Sequence, residues 1–303
     1  MTTTLVTGAG GFVGRHVVRA LAALGEDVIA ILRPGSVIPD WGVAPDLVRV
    51  ERCDLADAEA VATVVGDIRP DAIANLAIDR SMDTTRAAMV NVRGFAALLD
   101  AAEACGAYVA HAGSSTEYGV HDQPLTSTTT CIPESALGIT KLQAHENLVQ
   151  RVSDGTVNAV TLRLFHVYGP GEPERRLVPM ALNAARTGAP LPLTDATPGH
   201  DLIHVTDATA AILAAIGTGR SQPRPINVCT GRSTTNHEVV DIIERVVGTP
   251  VDRRVGAFTA RAWDHSIWTA DPAEFIDLIG RSPLDLETGI QRTIADRFPA
   301  ATA

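Results

Sequence analysis

The feature that most constrains this chain is Thr7-Gly8-Ala9-Gly10-Gly11-Phe12-Val13-Gly14, a glycine-rich run close to its start. It stands between an apolar stretch, Thr3 to Thr7, that reads as a strand, and Gly14 to Leu24, where apolar residues recur at helical spacing. Glycines so placed suit a strand–turn–helix whose backbone passes close to something else. Gly8 allows the tight turn, Gly11 lets the backbone approach a pyrophosphate, and Gly14 lets the helix lie close to the sheet. Phe12 and Val13, between the last two of these glycines, count with them as cofactor-binding positions. The N-terminus of the helix then offers N–H groups and the positive end of its dipole to phosphates.

The next part of the chain repeats the same alternation. Asp27 to Leu32 and Val48 to Arg52 read as strands, Ala56 to Val65 as a helix, and Asp71 to Ala77 as a strand. Arg86 to Ala104 reads as one long helix, Tyr108 to Gly113 as a strand, Ser135 to Arg151 as a helix and Asn158 to Phe165 as a strand. Strands separated by helices call for a parallel sheet with helices on both faces, and right-handed crossovers make it a doubly wound α/β Rossmann fold. After Tyr168-Gly169-Pro170-Gly171 proline and glycine become frequent and the segments irregular; only Asn236 to Val247 and Asp271 to Ile279 read as helices there. The predicted division is a dinucleotide-binding domain, 1–165 plus about 201–231, and a smaller substrate-binding lobe, about 166–200 plus 232–303.

The formal charge of −10 and pI near 5.3 argue against nucleic acid or an anionic membrane as partner, since both would repel the chain. No basic segment leads into a long apolar run at the N-terminus, and no apolar stretch is long enough to span a bilayer, so a cytoplasmic protein is expected. Cys53, Cys105, Cys131 and Cys229 lack metal-ligand spacing and read as reduced thiols; no metal is expected. Of the 25 basic residues only Lys141 is a lysine. In a chain that otherwise uses arginine for positive charge, it marks a place where arginine will not serve.

The end of the second strand discriminates between nicotinamide cofactors. A carboxylate there would bind a ribose 2′-hydroxyl, while a basic residue suits a 2′-phosphate. The strand ends Ile31-Leu32-Arg33-Pro34, with a guanidinium and no acid, which favours NADP(H) over the alternative of a solvated surface arginine. Asp54-Leu55 after the third strand fits an adenine-contacting position, and Asp54 equally fits an N-cap for the helix beyond it.

The glycine spacing, Asp54, Asn75-Leu76-Ala77, Asn91-Val92-Arg93-Gly94, Ser114-Ser115 before Tyr118-Gly119, and Arg163 before Val167-Tyr168-Gly169-Pro170 together resemble the extended short-chain dehydrogenases/reductases, the group of the NDP-sugar epimerases, dehydratases and 4-ketoreductases. Asp201-Leu202-Ile203-His204-Val205-Thr206-Asp207, Asn227-Val228-Cys229-Thr230-Gly231 and Leu286-Glu287-Thr288-Gly289-Ile290 carry the match through the chain. The resemblance implies that Leu76 and Ala77 border the cofactor. It also implies a Ser/Thr that hydrogen-bonds the substrate carbonyl, a Tyr that protonates it, and a Lys one helical turn later that binds the nicotinamide ribose. Ser114, Ser115 and Lys141 fill two of these roles, but the tyrosine position is Leu137, which has no proton to give. Tyr118 and Leu137 remain as substrate-facing positions.

The polar handles that the resemblance implies for a nucleoside diphosphate have changed as well. An Arg before the Asp-x-Ile-x-Val run is His200, an Asn before Val-Tyr-Gly-Pro is His166, and only the Arg of an Arg-x-x-Asp element persists, as Arg261. An NADPH-type pocket, no tyrosine and a weakened diphosphate grip resemble the atypical ketoreductases that tailor aromatic, angucyclinone-type polyketides in antibiotic biosynthesis. The expected protein is a monomeric or homodimeric ketoreductase acting on a small-molecule ketone. Its proton comes from a phenol of the substrate itself, from solvent, or from His166, whose imidazole titrates near neutral pH. The alternatives are an NDP-sugar 4-ketoreductase or epimerase and, outside catalysis, an NADP-binding sensor.

Overall fold

The computed structural model describes residues 2–79, 84–194, 199–258 and 267–298. In chain order the first elements are β1 (Thr3–Thr7), α1 (Phe12–Ala23), β2 (Asp27–Leu32), β3 (Val48–Arg52), α2 (Ala58–Ile68) and β4 (Ala72–Asn75). Then come α3 (Thr84–Ala88), a widened π-type turn (Met89–Gly94), α4 (Phe95–Cys105), β5 (Tyr108–Ser114), a short 3-10 turn (Ser115–Glu117), α5 (Ala136–Ser153) and β6 (Ala159–Leu164). The remainder contributes β7 (His166–Tyr168), α6 (Leu177–Thr187), β8 (Leu191–Thr194), β9 (His200–His204), α7 (Val205–Thr218), β10 (Ile226–Val228), β11 (Ser233–Thr234), α8 (Asn236–Val247), β12 (Arg253–Phe258), α9 (Ala273–Ile279) and α10 (Leu286–Arg297).

Seven strands form one sheet in the order β10-β6-β5-β4-β1-β2-β3, and the pairs from β6 to β3 are parallel. This is the doubly wound Rossmann arrangement expected: the order reverses beside β1, where an open parallel sheet places its ligand crevice. β1, β2, β4, β5 and β6 are buried almost throughout, as strands covered on both faces must be, while the edge strand β3 carries Arg49, Glu51 and Arg52. Ile29, Ile31, Ile73 and Val109 bury against Val61, Val65, Leu98, Leu99, Ala144 and Leu148 of α2, α4 and α5. Burial of each such side chain stabilises the fold by about 1.5–3 kcal/mol.

The chain divides into two compact units: residues 1–119, 127–164 and 209–227 in one, and residues 120–126, 165–208 and 228–303 in the other. Residues 120–126, 165, 201–208 and 228–231, expected with the Rossmann domain, fall in the second unit. That unit has its own core of Tyr168, Val178, Leu182, Leu191, Leu202, Val239, Ile243 and Ile290. The region read as irregular in fact holds α6, α7 and α10 besides the helices at 236–247 and 273–279.

Two local expectations change for a physical reason. The helix expected over 86–104 is interrupted by the widened turn at Met89–Gly94. Its Asn91 side chain bonds outward to Asp79 and Thr140, and a Cβ on Gly94 would lie 2.1 Å from the Leu55 carbonyl oxygen. Asp54 is not the cap of α2: Asp57 is, accepting from the N–H groups of Glu59 and Ala60.

Among the described residues no helix is long and apolar enough to cross a membrane. No group of three metal-ligating side chains occurs among them.

Candidate active site

The glycine-rich turn is built as its spacing requires. Gly8 has φ +66°, and a Cβ there would stand 2.7 Å from the Leu76 carbonyl and the Ala77 nitrogen. A Cβ on Gly14 would stand 2.1 Å from the Gly8 carbonyl oxygen. Gly11 is the N-cap of α1 and offers no side-chain cap, and the first turn holds no acidic residue, so no carboxylate of that turn competes for the opening N–H groups. Phe12 and Val13 open the helix half-buried, and the Phe12 ring meets His16 edge-on. The turn suits a dinucleotide pyrophosphate by backbone approach and dipole together.

Thr7, Asn75, His111 and Thr161 are register neighbours across β1, β4, β5 and β6. They form a polar row across the buried strands of the sheet. The Thr7 hydroxyl donates to Asn75 Oδ1 at 2.6 Å and accepts the Leu76 and Ala77 N–H groups at 3.2 Å each. Asn75 Nδ2 donates to His111 Nδ1 at 2.9 Å, and Thr161 shares a hydrogen bond with His145 at 2.9 Å. Burial holds both imidazoles well below their usual range, with the Lys141 charge adding to the effect at His111. The row fixes the Leu76-Ala77 backbone against Gly8. Nothing in sequence periodicity announces it, because its members are paired only by strand register.

Lys141 is 2% exposed, and its Nζ donates to the Ala112 carbonyl at 2.8 Å and the Ala77 carbonyl at 3.5 Å, at the C-terminal ends of β5 and β4. α5 reaches this place because Gly138 leaves room: a Cβ there would lie 2.3 Å from the Thr116 carbonyl oxygen. The contact sets the segment carrying Leu137 and Lys141 against the Ser114–Tyr118 turn. Ser135 caps α5 by accepting the Gly138 N–H. Ser114 shares a hydrogen bond of 2.8 Å with Thr116, while Ser115 is half-buried in the 3-10 turn. Half-buried Leu137 occupies the position where the resemblance implies a phenol.

Beneath Ser114 lies a buried ion pair. Arg163 Nε donates to Glu117 Oε2 at 2.6 Å, and the Ser114 N–H donates to Glu117 Oε1 at 2.7 Å. Burial pushes the Glu117 carboxyl up, and Arg163 together with the Ser114 N–H pulls it back. The Arg163 guanidinium lies 4.4 Å over the Tyr118 ring, and the Tyr118 hydroxyl donates to Asn227 Oδ1 at 2.7 Å. Tyr118 is 0% exposed, so the expectation that it contacts substrate is corrected: its hydroxyl is committed to the interior.

Arg33, expected at the adenosine, is exposed just past β2. Two further arginines bond backbone carbonyls of this part of the fold. Arg52 Nη1 donates to the Arg33 and Ser36 carbonyls, and Arg15 Nε donates to the Gly10 carbonyl. Asp54 accepts the Ala56 N–H and pairs with Arg86 at 3.6 Å. The Leu55 side chain is buried in the core, so only its backbone is left for an adenine.

In the second unit His166 Nε2 accepts from Arg176 Nη2 at 2.6 Å, and Arg176 also pairs with Glu172 at 3.2 Å. Burial raises the Glu172 carboxyl to about 7, against the Arg176 charge. The His166 and His200 rings lie 5.4 Å apart, and Trp268 stacks on His200 at 6.4 Å. Arg261 lies outside the described residues.

Residues 4–229 match the NAD dependent epimerase/dehydratase family. The dTDP-6-deoxy-L-talose 4-dehydrogenase (NAD(P)(+)) of Kitasatospora kifunensis is 30% identical over 262 residues, 82% of this chain and 80% of the relative. The 2′-dehydrokanamycin reductase of Streptomyces kanamyceticus is 28% identical over 250 residues, 81% of this chain and 67% of the relative. Among solved structures, the UDP-glucose 4-epimerase of Thermotoga maritima superposes with a TM-score of 0.87 at 23% identity, covering 97% of this chain and 98% of that one. The chain is therefore an NAD(P)-dependent oxidoreductase and belongs to the NAD dependent epimerase/dehydratase family.

Proposed function

We propose that this protein is an NADPH-dependent ketoreductase that reduces a ketone of a secondary metabolite, an aromatic polyketide of angucyclinone type, to the alcohol without a catalytic tyrosine. The observation that carries the reading is Leu137 beside an otherwise complete Ser114 and Lys141 arrangement. When bound, NADPH supplies the hydride. Lys141 holds the nicotinamide ribose, Ser114 hydrogen-bonds the ketone oxygen, and Leu137 adds apolar surface where the substrate's ring system lies. His166 is a poor proton donor in this arrangement. Its Nε2 is an acceptor toward Arg176, so its only proton is on Nδ1, and giving that up would leave an imidazolate. A phenol flanking the ketone provides the proton instead, and orientation of the reacting groups supplies the remaining rate enhancement.

The test is NADPH consumption with aryl ketones that carry an adjacent phenol, compared with their O-methyl ethers. Turnover of the phenols and loss of turnover on methylation is expected; equal rates for both would refute the internal proton route. The sugar-handling relatives favour one second reading, an NDP-sugar 4-ketoreductase, and a dTDP-4-keto-6-deoxy sugar belongs in the same assay.

Two further outcomes are expected. Arg33→Ala weakens NADPH by about one to two decades, the equivalent of roughly 1.5–3 kcal/mol for a charged hydrogen bond, and leaves NADH nearly unchanged. Arg52→Ala reproduces part of the loss by releasing the loop it pins. Titration calorimetry with both cofactors checks this, and equal wild-type affinity for the two would overturn the choice of NADPH. Leu137→Tyr gives little gain or a loss in turnover, because another proton route is in use and the phenol crowds the substrate. A large rise in turnover would mean that the missing tyrosine is simply an inactivating change.

A further inference from the structure

The β2–β3 loop folds back onto the glycine-rich turn. Its Trp41 is only 5% exposed although it lies in a connecting segment, and its indole N–H donates to the Ala9 carbonyl at 3.0 Å. Ala9 is the first residue after Gly8, inside the turn that receives the pyrophosphate. A second tether acts on the same residue: Arg19 Nε, on α1, donates to the Trp41 carbonyl at 2.7 Å. Gly42 then turns the chain away with φ +68°, where a Cβ would stand 2.8 Å from Arg19 Nη2, and its N–H is held by Asp40 Oδ1 at 2.7 Å. The loop carries Arg33 at its start and is pinned there by Arg52.

We infer that Trp41 is a positioning residue for the dinucleotide, one that locks the loop bearing Arg33 to the glycine-rich turn so that the 2′-phosphate and pyrophosphate subsites are held as one preformed unit. The inference rests on the dinucleotide-binding reading of this site. An exposed loop would otherwise have to be ordered on binding, at a cost in conformational entropy that lowers affinity. The indole bond also fixes the orientation of the Ala9 peptide, and with it the carbonyl that would otherwise be free to rotate toward a phosphate. Trp41 touches the cofactor only through Ala9 and the loop, so the residue acts on binding and leaves the hydride-transfer step alone.

The test is direct titration of the full-length protein, without ketone, by calorimetry with NADPH and with 2′,5′-ADP, the adenosine half of the cofactor. Trp41→Phe keeps an aromatic ring in place and removes the N–H; Arg19→Met removes the second tether and leaves the indole bond. With Trp41→Phe, NADPH and 2′,5′-ADP are both expected to bind about tenfold more weakly, the equivalent of one neutral hydrogen bond. Arg19→Met is expected to shift both in the same direction by a smaller factor. Melting of the ligand-free variants is followed in parallel. A lowered Tm with unchanged affinity at a temperature well below melting would mean a purely structural tryptophan and would overturn the inference, as would unchanged affinity in both variants. If Trp41→Phe does not fold, Arg19→Met alone decides by the same readout. Wild-type protein that binds neither NADPH nor NADH would instead sink the cofactor reading on which the inference stands.

Discussion

Glu117→Ala is expected to lower the unfolding free energy by about 3–5 kcal/mol and to abolish reduction in whatever protein remains folded. The magnitude comes from where the charge sits. Glu117 is 0% exposed, and its partner Arg163 is 2% exposed. Removing the carboxylate strands a guanidinium in the interior, with the Tyr118 ring as a weak substitute for the lost anion. The same carboxylate accepts the Ser114 N–H, so its removal also frees the turn that aims the Ser114 hydroxyl. Gly113 shows how closely the group is fitted, since a Cβ there would lie 2.6 Å from Glu117 Oε1. Removing both charges is expected to be milder than removing one, because the penalty comes from the unpaired ion. Urea unfolding of Glu117→Ala and of Glu117→Gln combined with Arg163→Met checks both statements. A single variant within about 1 kcal/mol of wild type would mean that water reaches the pair and that it does not hold Ser114.

The parts of this site legible in the sequence are those set by a single residue's sterics. Gly8 and Gly14 are demanded by backbone atoms close to where a Cβ would be, so their spacing declares the turn without knowledge of the rest of the fold. Lys141 stands out because the composition leaves it alone. The features that escape depend on long-range pairing. Thr7, Asn75 and His111 become one hydrogen-bonded row only once β1, β4 and β5 are in register. The break at Met89–Gly94 is likewise tertiary: Val90, Asn91, Val92 and Gly94 are weak helix formers, but the widening itself serves the outward bonds of Asn91 and the close approach at Gly94. Trp41 and Arg176 lie in loop or cap positions with no periodic signal. α6 escapes because Pro179 falls inside it, yet proline in a first turn removes no helical hydrogen bond. Tyr118 misleads for the opposite reason. It belongs to the recognisable motif, but its hydroxyl faces Asn227 and the core.

Loss of Lys141 should weaken NADPH as much as loss of Arg33, and NADH with it. Lys141→Met keeps the length of the side chain and removes the ammonium, and it is expected to raise the dissociation constant for NADPH by about one to two decades, the equivalent of roughly 1.5–3 kcal/mol for a charged hydrogen bond. The buried ammonium is held between the Ala112 and Ala77 carbonyls, at the C-terminal ends of β5 and β4 on one side of β1, where a doubly wound sheet receives its nicotinamide half. Methionine leaves the Ala112 carbonyl without that donor, so a drop in stability of about 1–3 kcal/mol accompanies the loss of affinity. Arginine is not expected to rescue: its longer, planar fork does not fit in place of a compact ammonium lodged 2.8 Å from the Ala112 carbonyl and 3.5 Å from the Ala77 carbonyl, which is why a chain of arginines keeps one lysine here. Turnover at saturating NADPH should fall moderately and persist, because with Leu137 in the tyrosine position there is no phenol for the lysine to acidify. Introducing the phenol reverses that logic. In a Leu137→Tyr background, any turnover gained through the tyrosine should depend on Lys141 and vanish with Lys141→Met. The measurements are NADPH titrations of the single and double variants and initial rates against NADPH at saturating ketone. Full activity of Lys141→Met with unchanged cofactor affinity would mean that the ammonium only ties β4 to β5, and that the ribose is held by other groups.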